Sequence, residues 1–369
     1  MHSNKFPKSC IFCGNKPEEK TKEHIIPQWL IKLTGDPNRE VNLGISSKIV
    51  SGKREFAIRK YAFSAFHFPA CKKCNTEFSK LEDKAKEIIE KILQKGFHNN
   101  KDISTLLDWL DKVRTGLWLG GLILDQDMSP IRPNFHIKDR IAEKDRCLFV
   151  YEMNDDWKGI QFWGTNLPIF SFTPSCFSLC INNYFFLNIS TDFLFSRNIG
   201  FPFAEKKTFR KQDNYTLITM SPGLEKIKLP LVKFNYLKPS IELYQPIISK
   251  KLLLNGKDID DLYKSDFIKS NCLDYSKGNG DIFYIESNKL IKLENDYEIC
   301  LSIESLKYDR ETFLTTHSKQ IIDIQHFMTK DLPTVDNLPS ERRKTARDTF
   351  KTLIKLQKAY RGLIKNGSS

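Results

Sequence analysis

The sequence predicts an α+β protein in three parts. A small N-terminal module clamped by four cysteines spans residues 1–100, a larger antiparallel α+β domain spans 101–335, and a basic amphipathic helix closes the chain at 336–369. Three observations carry this. Two Cys-x-x-Cys turns, Cys10–Cys13 and Cys71–Cys74, bracket most of the first part. Residues 145–305 hold short apolar runs separated by turn residues. Past residue 340, apolar side chains recur at gaps of three or four among basic ones. With 369 residues, 40% apolar content and 27 Phe, the chain can bury a large core and is not disordered.

The elements follow in order. Cys10 to Gly14 has the form of a knuckle, two potential ligands on a tight turn closed by glycine. Ile45–Val50 and Glu55–Phe63 are β-like, and Ser51-Gly52-Lys53 between them signals a hairpin. After Asn75, the residues Phe78, Leu81, Ala85, Ile88, Ile89 and Ile92 recur at helical spacing until Gly96. A second helix runs from Ile103 to Leu124 as a bridge into the next part, with Asp108, Asp111 and Lys112 off its apolar positions. Strands are expected at Cys147–Glu152, Ile160–Trp163, Ile169–Phe172, Phe177–Ile181, Tyr184–Ile189, Tyr215–Met220, Ile282–Ile285 and Glu298–Ile303. Asn182-Asn183 turns one hairpin. Helices are expected at Asp258–Lys269 and Ser318–Thr329. Asp331–Pro339 reads as a linker, and Ser340 caps the last helix, whose apolar stripe is Ala346, Phe350, Leu353, Leu356, Tyr360 and Leu363.

Charge sits at the two ends. Of the net +13, residues 1–100 contribute +8 (19 basic, 11 acidic) and residues 341–369 contribute +7 (9 basic, 2 acidic), while the middle carries −2. Clustered basic charge is the footprint of a protein that docks on phosphates, so nucleic acid is the expected partner. Residues 1–9 are polar and basic, and the longest apolar stretch, Leu117–Leu124, is broken by Gly120 and Gly121. The reading is a cytoplasmic chain with no leader and no membrane contact. Paired Cys-x-x-Cys motifs in a reducing compartment bind metal more often than they form disulfides.

The chemistry gathers in the first part. Two Cys-x-x-Cys turns are a usual way to present four thiolates to a structural zinc ion, which makes Cys10, Cys13, Cys71 and Cys74 its ligands. The 57 residues between the pairs must form structure of their own and return. Between them lies Glu23-His24-Ile25-Ile26-Pro27. A neutral His24 can take a proton from water, and Glu23 and Asn75 offer the hard oxygens that Mg2+ or Mn2+ prefers. Cys147, Cys176, Cys180, Cys272 and Cys300 read as core or surface thiols.

Together, the first Cys-x-x-Cys, Glu23-His24-Ile25-Ile26-Pro27 and Cys71-Lys72-Lys73-Cys74-Asn75 resemble the HNH endonucleases with a zinc-supported ββα-metal fold. The resemblance covers residues 8–95. It implies that His24 is the general base, that Glu23 and Asn75 hold a catalytic Mg2+ or Mn2+, and that hydrolysis leaves a 5′-phosphate and a 3′-hydroxyl. The middle asparagine of such enzymes falls here on Phe66, with Ser64 and His67 as the nearest polar residues. His67 or a backbone carbonyl then has to orient His24. Glu82, seven residues after Asn75, lies on a similar helix face and is a supporting group or a surface charge. DNA is the expected substrate, with RNA as a variant of the same chemistry. The alternative is a zinc-stabilised nucleic-acid-binding or interaction protein without catalysis. No glycine-rich phosphate loop or Gly-x-Ser-x-Gly elbow competes, and His136, His317 and His326 lack metal-ligand spacing.

Overall fold

The computed structural model describes residues 9–35, 39–51, 53–124, 133–210, 215–223, 227–234, 236–248, 266–329 and 340–365. Within these, the chain is mixed α and β with mostly antiparallel pairing. It begins with the knuckle, then β1 (Lys20–His24), α1 (Gln28–Thr34), the long hairpin β2 (Glu40–Val50) and β3 (Lys53–Ala62), β4 (His67–Cys71) and α2 (Lys72–Leu93). The excursion between the cysteine pairs thus returns as β4, which pairs antiparallel with β1, Lys20 opposite Cys71 and His24 opposite His67. The helix α2 starts on the residue after β4 because Lys72 leaves the extended conformation, and it buries Phe78, Ala85, Ile88, Ile89 and Ile92 as their spacing requires.

A short strand β5 (Phe97–His98) leads into α3 (Asn100–Leu124). This helix is buried nearly all round and is the axle of the molecule. On one side it packs on α2 and on the β1–β4 pair, where it has no side chains at Gly116 and Gly120. A Cβ at Gly116 would lie 2.7 Å from the Ile25 side chain, and one at Gly120 would lie 2.7 Å from the Phe68 ring. Its other side meets the main sheet.

That sheet has the order β16-β15-β12-β6-β9-β8-β7, with β18 alongside β6. Its members are β6 (Arg146–Met153), β7 (Ile160–Trp163), β8 (Cys176–Ile181), β9 (Tyr184–Ser190), β12 (Ile241–Gln245), β15 (Phe283–Glu286), β16 (Lys289–Lys292) and β18 (Ser305–Leu306). The β8–β9 turn uses Asn182 at φ 55°, a left-handed conformation that asparagine tolerates. Smaller pairs are β10 (Phe203–Arg210) with β11 (Tyr215–Ser221), β13 (Cys272–Asp274) with β14 (Asn279–Gly280), and β17 (Ile299–Cys300) with β5. The helices α4 (Asp266–Ser270), α5 (Arg310–Met328) and α6 (Ser340–Lys365) complete the chain.

Two hydrophobic clusters divide the interior. One runs without a break from Cys10 and Phe12 through α3 to one face of the sheet, including Leu148, Val150 and Phe186. The other lies on the opposite face, where α5 packs Phe313, Ile321 and Ile324 against Phe149, Tyr151 and Phe185. Cys147, Cys176 and Cys180 are buried in this second cluster.

Two expectations need correction. Ile169–Phe172 is a turn rather than a strand: Phe172 N bonds to Ile169 O, and Pro168 just before it lacks a donor for a ladder. Glu298–Ile303 supplies only the two-residue β17. The charged Asp111 and Lys112 of α3 are fully buried. Asp111 accepts from Arg114 Nη2 at 2.6 Å and Arg146 Nη1 at 2.9 Å, and Arg146 also reaches Asp108 and Gln245, so paired charges weld α3 to the sheet. Of the helix expected at 258–269, only Asp266–Lys269 falls in a described segment, within α4, and the expected linker 331–339 lies outside the described residues.

Alanine in a helix interior gains about 1 kcal/mol over glycine when nothing blocks it. Gly120→Ala is expected to do the opposite and lower stability by about 1–3 kcal/mol, because the Phe68 and Phe66 rings must move; urea unfolding of both proteins measures the sign. His317 gives a second test. It is fully buried among Tyr151, Phe185 and Phe313 with Nε2 2.8 Å from Ser178 Oγ, and burial pushes its pKa down from 6.5 to about 3. The unfolded chain takes up a proton here as the pH falls past 6.5 and the folded chain does not, so this contribution to stability is whole above 6.5 and shrinks below it. The stability advantage of wild type over His317→Gln should narrow by about 1 kcal/mol per pH unit on acidification below that point.

Candidate metal centre and the histidine strand end

The knuckle is shaped by its backbone. Gly14 N donates to Cys10 O at 2.8 Å and Cys10 N to Asn15 O at 2.8 Å, and Gly14 takes φ 77°, a conformation that suits glycine. Ile11 N bonds to Pro69 O at 2.9 Å, which lays the knuckle along β4. The second pair sits at the β4–α2 junction. All four sulfurs lie within 4.8 Å of one another, and Cys13 Sγ and Cys71 Sγ are 3.9 Å apart. A tetrahedron of Zn–S bonds about 2.3 Å long has edges of about 3.8 Å. The four thiols can therefore hold a metal ion such as zinc, and they are the one such group of His, Cys, Asp and Glu among the described residues. Burial raises the thiol pKa of Cys10 and Cys74, so metal uptake has to release their protons.

A segment far along the chain braces the knuckle, and nothing in the motifs announced it. Ile137 N bonds to Ile11 O and Lys138 N to Phe12 O. The His136 ring lies over Gly14, where a Cβ would come 2.2 Å from it. Lys138 Nζ then pairs with Glu77 of α2 at 3.0 Å.

His24 ends β1, half-buried, with the exposed His67 directly across on β4 and their ring centroids 5.8 Å apart. His67 Nδ1 is 2.5 Å from Ser64 O, which fixes that ring. Burial, then the neighbouring His67, Lys112 and Lys22, hold the His24 imidazole below its ordinary 6.5 despite the pull of Glu23. Phe66, at the position where the resemblance places an asparagine, is fully buried beside Tyr61 and Phe68, and its carbonyl accepts from Ile25 N at 3.0 Å. That bond fixes the residue after His24 through the backbone.

Glu23 alternates to the other side of β1 from His24. It is 7% exposed, and its Oε1 accepts from Lys112 Nζ at 2.7 Å. The same ammonium bonds to Glu82 of α2. Burial raises the Glu82 carboxyl while Lys112 pulls it down. Asn75 is half-buried in the first turns of α2, seven residues before Glu82, so their Cα atoms are about 10 Å apart along the axis. These donors do not fit the Mg2+ or Mn2+ expected at Glu23 and Asn75. A divalent ion there needs several hard oxygens and usually keeps waters, whereas the Glu23 carboxylate is buried and already neutralised by an ammonium. Lys112 is the residue that the sequence reading missed: one lysine in an apolar helix gives no periodic or motif signal.

The chain matches no known protein-family model, no curated protein and no solved structure. Among the described residues no helix is long and apolar enough to cross a membrane.

The purified chain is expected to bind Co2+ with the absorption of tetrahedral thiolate coordination, to exchange it for zinc, and to lose both with Cys74→Ser. Chelation should lower its thermal stability. Optical titration and melting measure these outcomes.

Proposed function

We propose that this chain is an HNH-type endonuclease that hydrolyses phosphodiester bonds in nucleic acid, with DNA as the preferred substrate. The observation that carries the reading is His24. It stands at the end of a strand whose partner strand ends on one thiol of the metal centre, Cys71, and α2 follows at once with Cys74 in its first turn. Burial lowers its pKa and so favours the neutral imidazole, the form that can remove a proton from water. Lys22 is exposed on the same side of β1 and supplies positive charge for a phosphate. The motif Glu23-His24-Ile25-Ile26-Pro27 with Cys71-Lys72-Lys73-Cys74-Asn75 supports the same reading. A zinc ion on the four thiols would be structural, fixing the knuckle against the β4–α2 junction. The basic helix α6 adds Lys344, Arg347, Lys351, Lys355 and Lys358, all exposed, for contact with the nucleic-acid backbone.

A second reading has its own observation. Glu23 bound to Lys112 and Phe66 in the asparagine position favour a zinc-stabilised nucleic-acid-binding or interaction protein that does not cleave. It calls for salt-sensitive binding to DNA or RNA with no dependence on His24.

Plasmid nicking and cleavage of labelled RNA by the zinc-loaded protein, with and without Mg2+ or Mn2+, separate the two. His24→Ala is expected to slow cleavage by about 10²–10⁴-fold while leaving nucleic-acid binding unchanged. Equal cleavage by both proteins, or none by the wild type, would overturn the enzymatic reading.

A further inference from the structure

We infer that the Lys112 ammonium is the resident cation of this site. It takes the place beside Glu23 that the motif would give to a divalent ion, and it makes Glu23 a positioning residue that anchors β1 rather than a metal ligand. The inference rests on the site proposed above but not on whether that site cleaves anything.

Geometry carries it. Lys112 is 0% exposed, midway along α3, with its Nζ 2.7 Å from Glu23 Oε1 and bonded to Glu82 as well. One carboxylate comes from β1 and the other from α2, so a single charge ties together the three elements that surround the histidine strand end. The ammonium also lies 5.8 Å from the centroid of the Phe12 ring in the knuckle, and Phe12 stacks on Phe78 of α2 at 4.0 Å. An ammonium has three donors and no acceptor. Here two carboxylates accept from it and the Phe12 ring lies within cation–π range, so the buried charge is compensated on more than one side.

The alternatives for so buried a lysine are few. A neutral side chain in its place would leave the Glu23 and Glu82 carboxylates close together with no positive charge between them. A divalent ion added on Glu23 would sit only a few ångströms from the ammonium and repel it. Strand alternation separates the two functions. Even-numbered Lys22 and His24 face the open side, and odd-numbered Glu23 faces α3, so the position of the imidazole depends on Glu23 without any contact between them.

Mn2+ binding by electron paramagnetic resonance tests this without any substrate. The protein is the full chain, zinc-loaded, with folding checked by circular dichroism. Wild type and Glu23→Gln should bind Mn2+ equally weakly. Lys112→Met removes the ammonium and should bind Mn2+ at least about tenfold more tightly, with the gain lost again in Lys112→Met/Glu23→Gln. If Lys112→Met does not fold, Lys112→Met/Glu82→Gln removes one carboxylate with the ammonium, and it should show the same gain. Tight Mn2+ binding by wild type that Glu23→Gln abolishes would overturn the inference, as would a folded Lys112 variant that binds no more Mn2+ than wild type. Failure of the nuclease reading has a separate mark, the absence of His24-dependent cleavage.

Discussion

The first part of the fold depends on one closure. Two turns separated by 57 residues bring four sulfurs within 4.8 Å of one another. Closing so long a loop costs entropy that grows only slowly with its length, but a short two-stranded ribbon cannot meet even that alone. A metal ion held by the four thiols would supply binding energy of the order that small domains lack. What the closure fixes is register. Once Cys71 is held beside Cys13, Lys20 lies opposite Cys71 and His24 has to lie opposite His67.

The helix α3 translates that register to the rest of the molecule. Its missing side chains at Gly116 and Gly120 let Ile25 and Phe68 approach its backbone. Its charged side chains point both ways: Lys112 towards β1 and α2, Asp111 and Arg114 towards the sheet and Asn188. Buried ion pairs add little net stability, because desolvation cancels most of the attraction, but they tolerate few alternative arrangements. In this helix they specify its rotation, which the apolar residues on nearly every side leave undetermined.

Much of this was legible in the sequence where pattern and period speak. The hairpin around Ser51, the helix from Phe78 to Ile92 and the β8–β9 hairpin follow from spacing and turn chemistry, and the meeting of the four cysteines follows from their matched pairs. Other features have no local signal. Lys112 is a single lysine in an apolar helix, and its two partners, Glu23 and Glu82, lie far from it in sequence, so no local pattern points to its burial. The bracing of Gly14 by His136 joins segments more than a hundred residues apart, with nothing periodic between them. Glu23 and His24 are neighbours in the motif, and a motif read as a string hides that a strand sends them to opposite sides. Ile169–Phe172 has strand composition, and its turn is set by Pro168 and by bonds within the segment.

The unbroken hydrophobic cluster has a mechanical consequence. Because α3 serves as the floor of the thiol module and as the cover of the sheet, neither can shed the other without baring the same helix to water. A transplant of the first hundred residues into another protein would carry off its motifs and leave its foundation behind. Damage deep in the sheet, at Arg146 for instance, would be felt at the sulfurs as one shared loss of stability in a single transition rather than as two independent meltings.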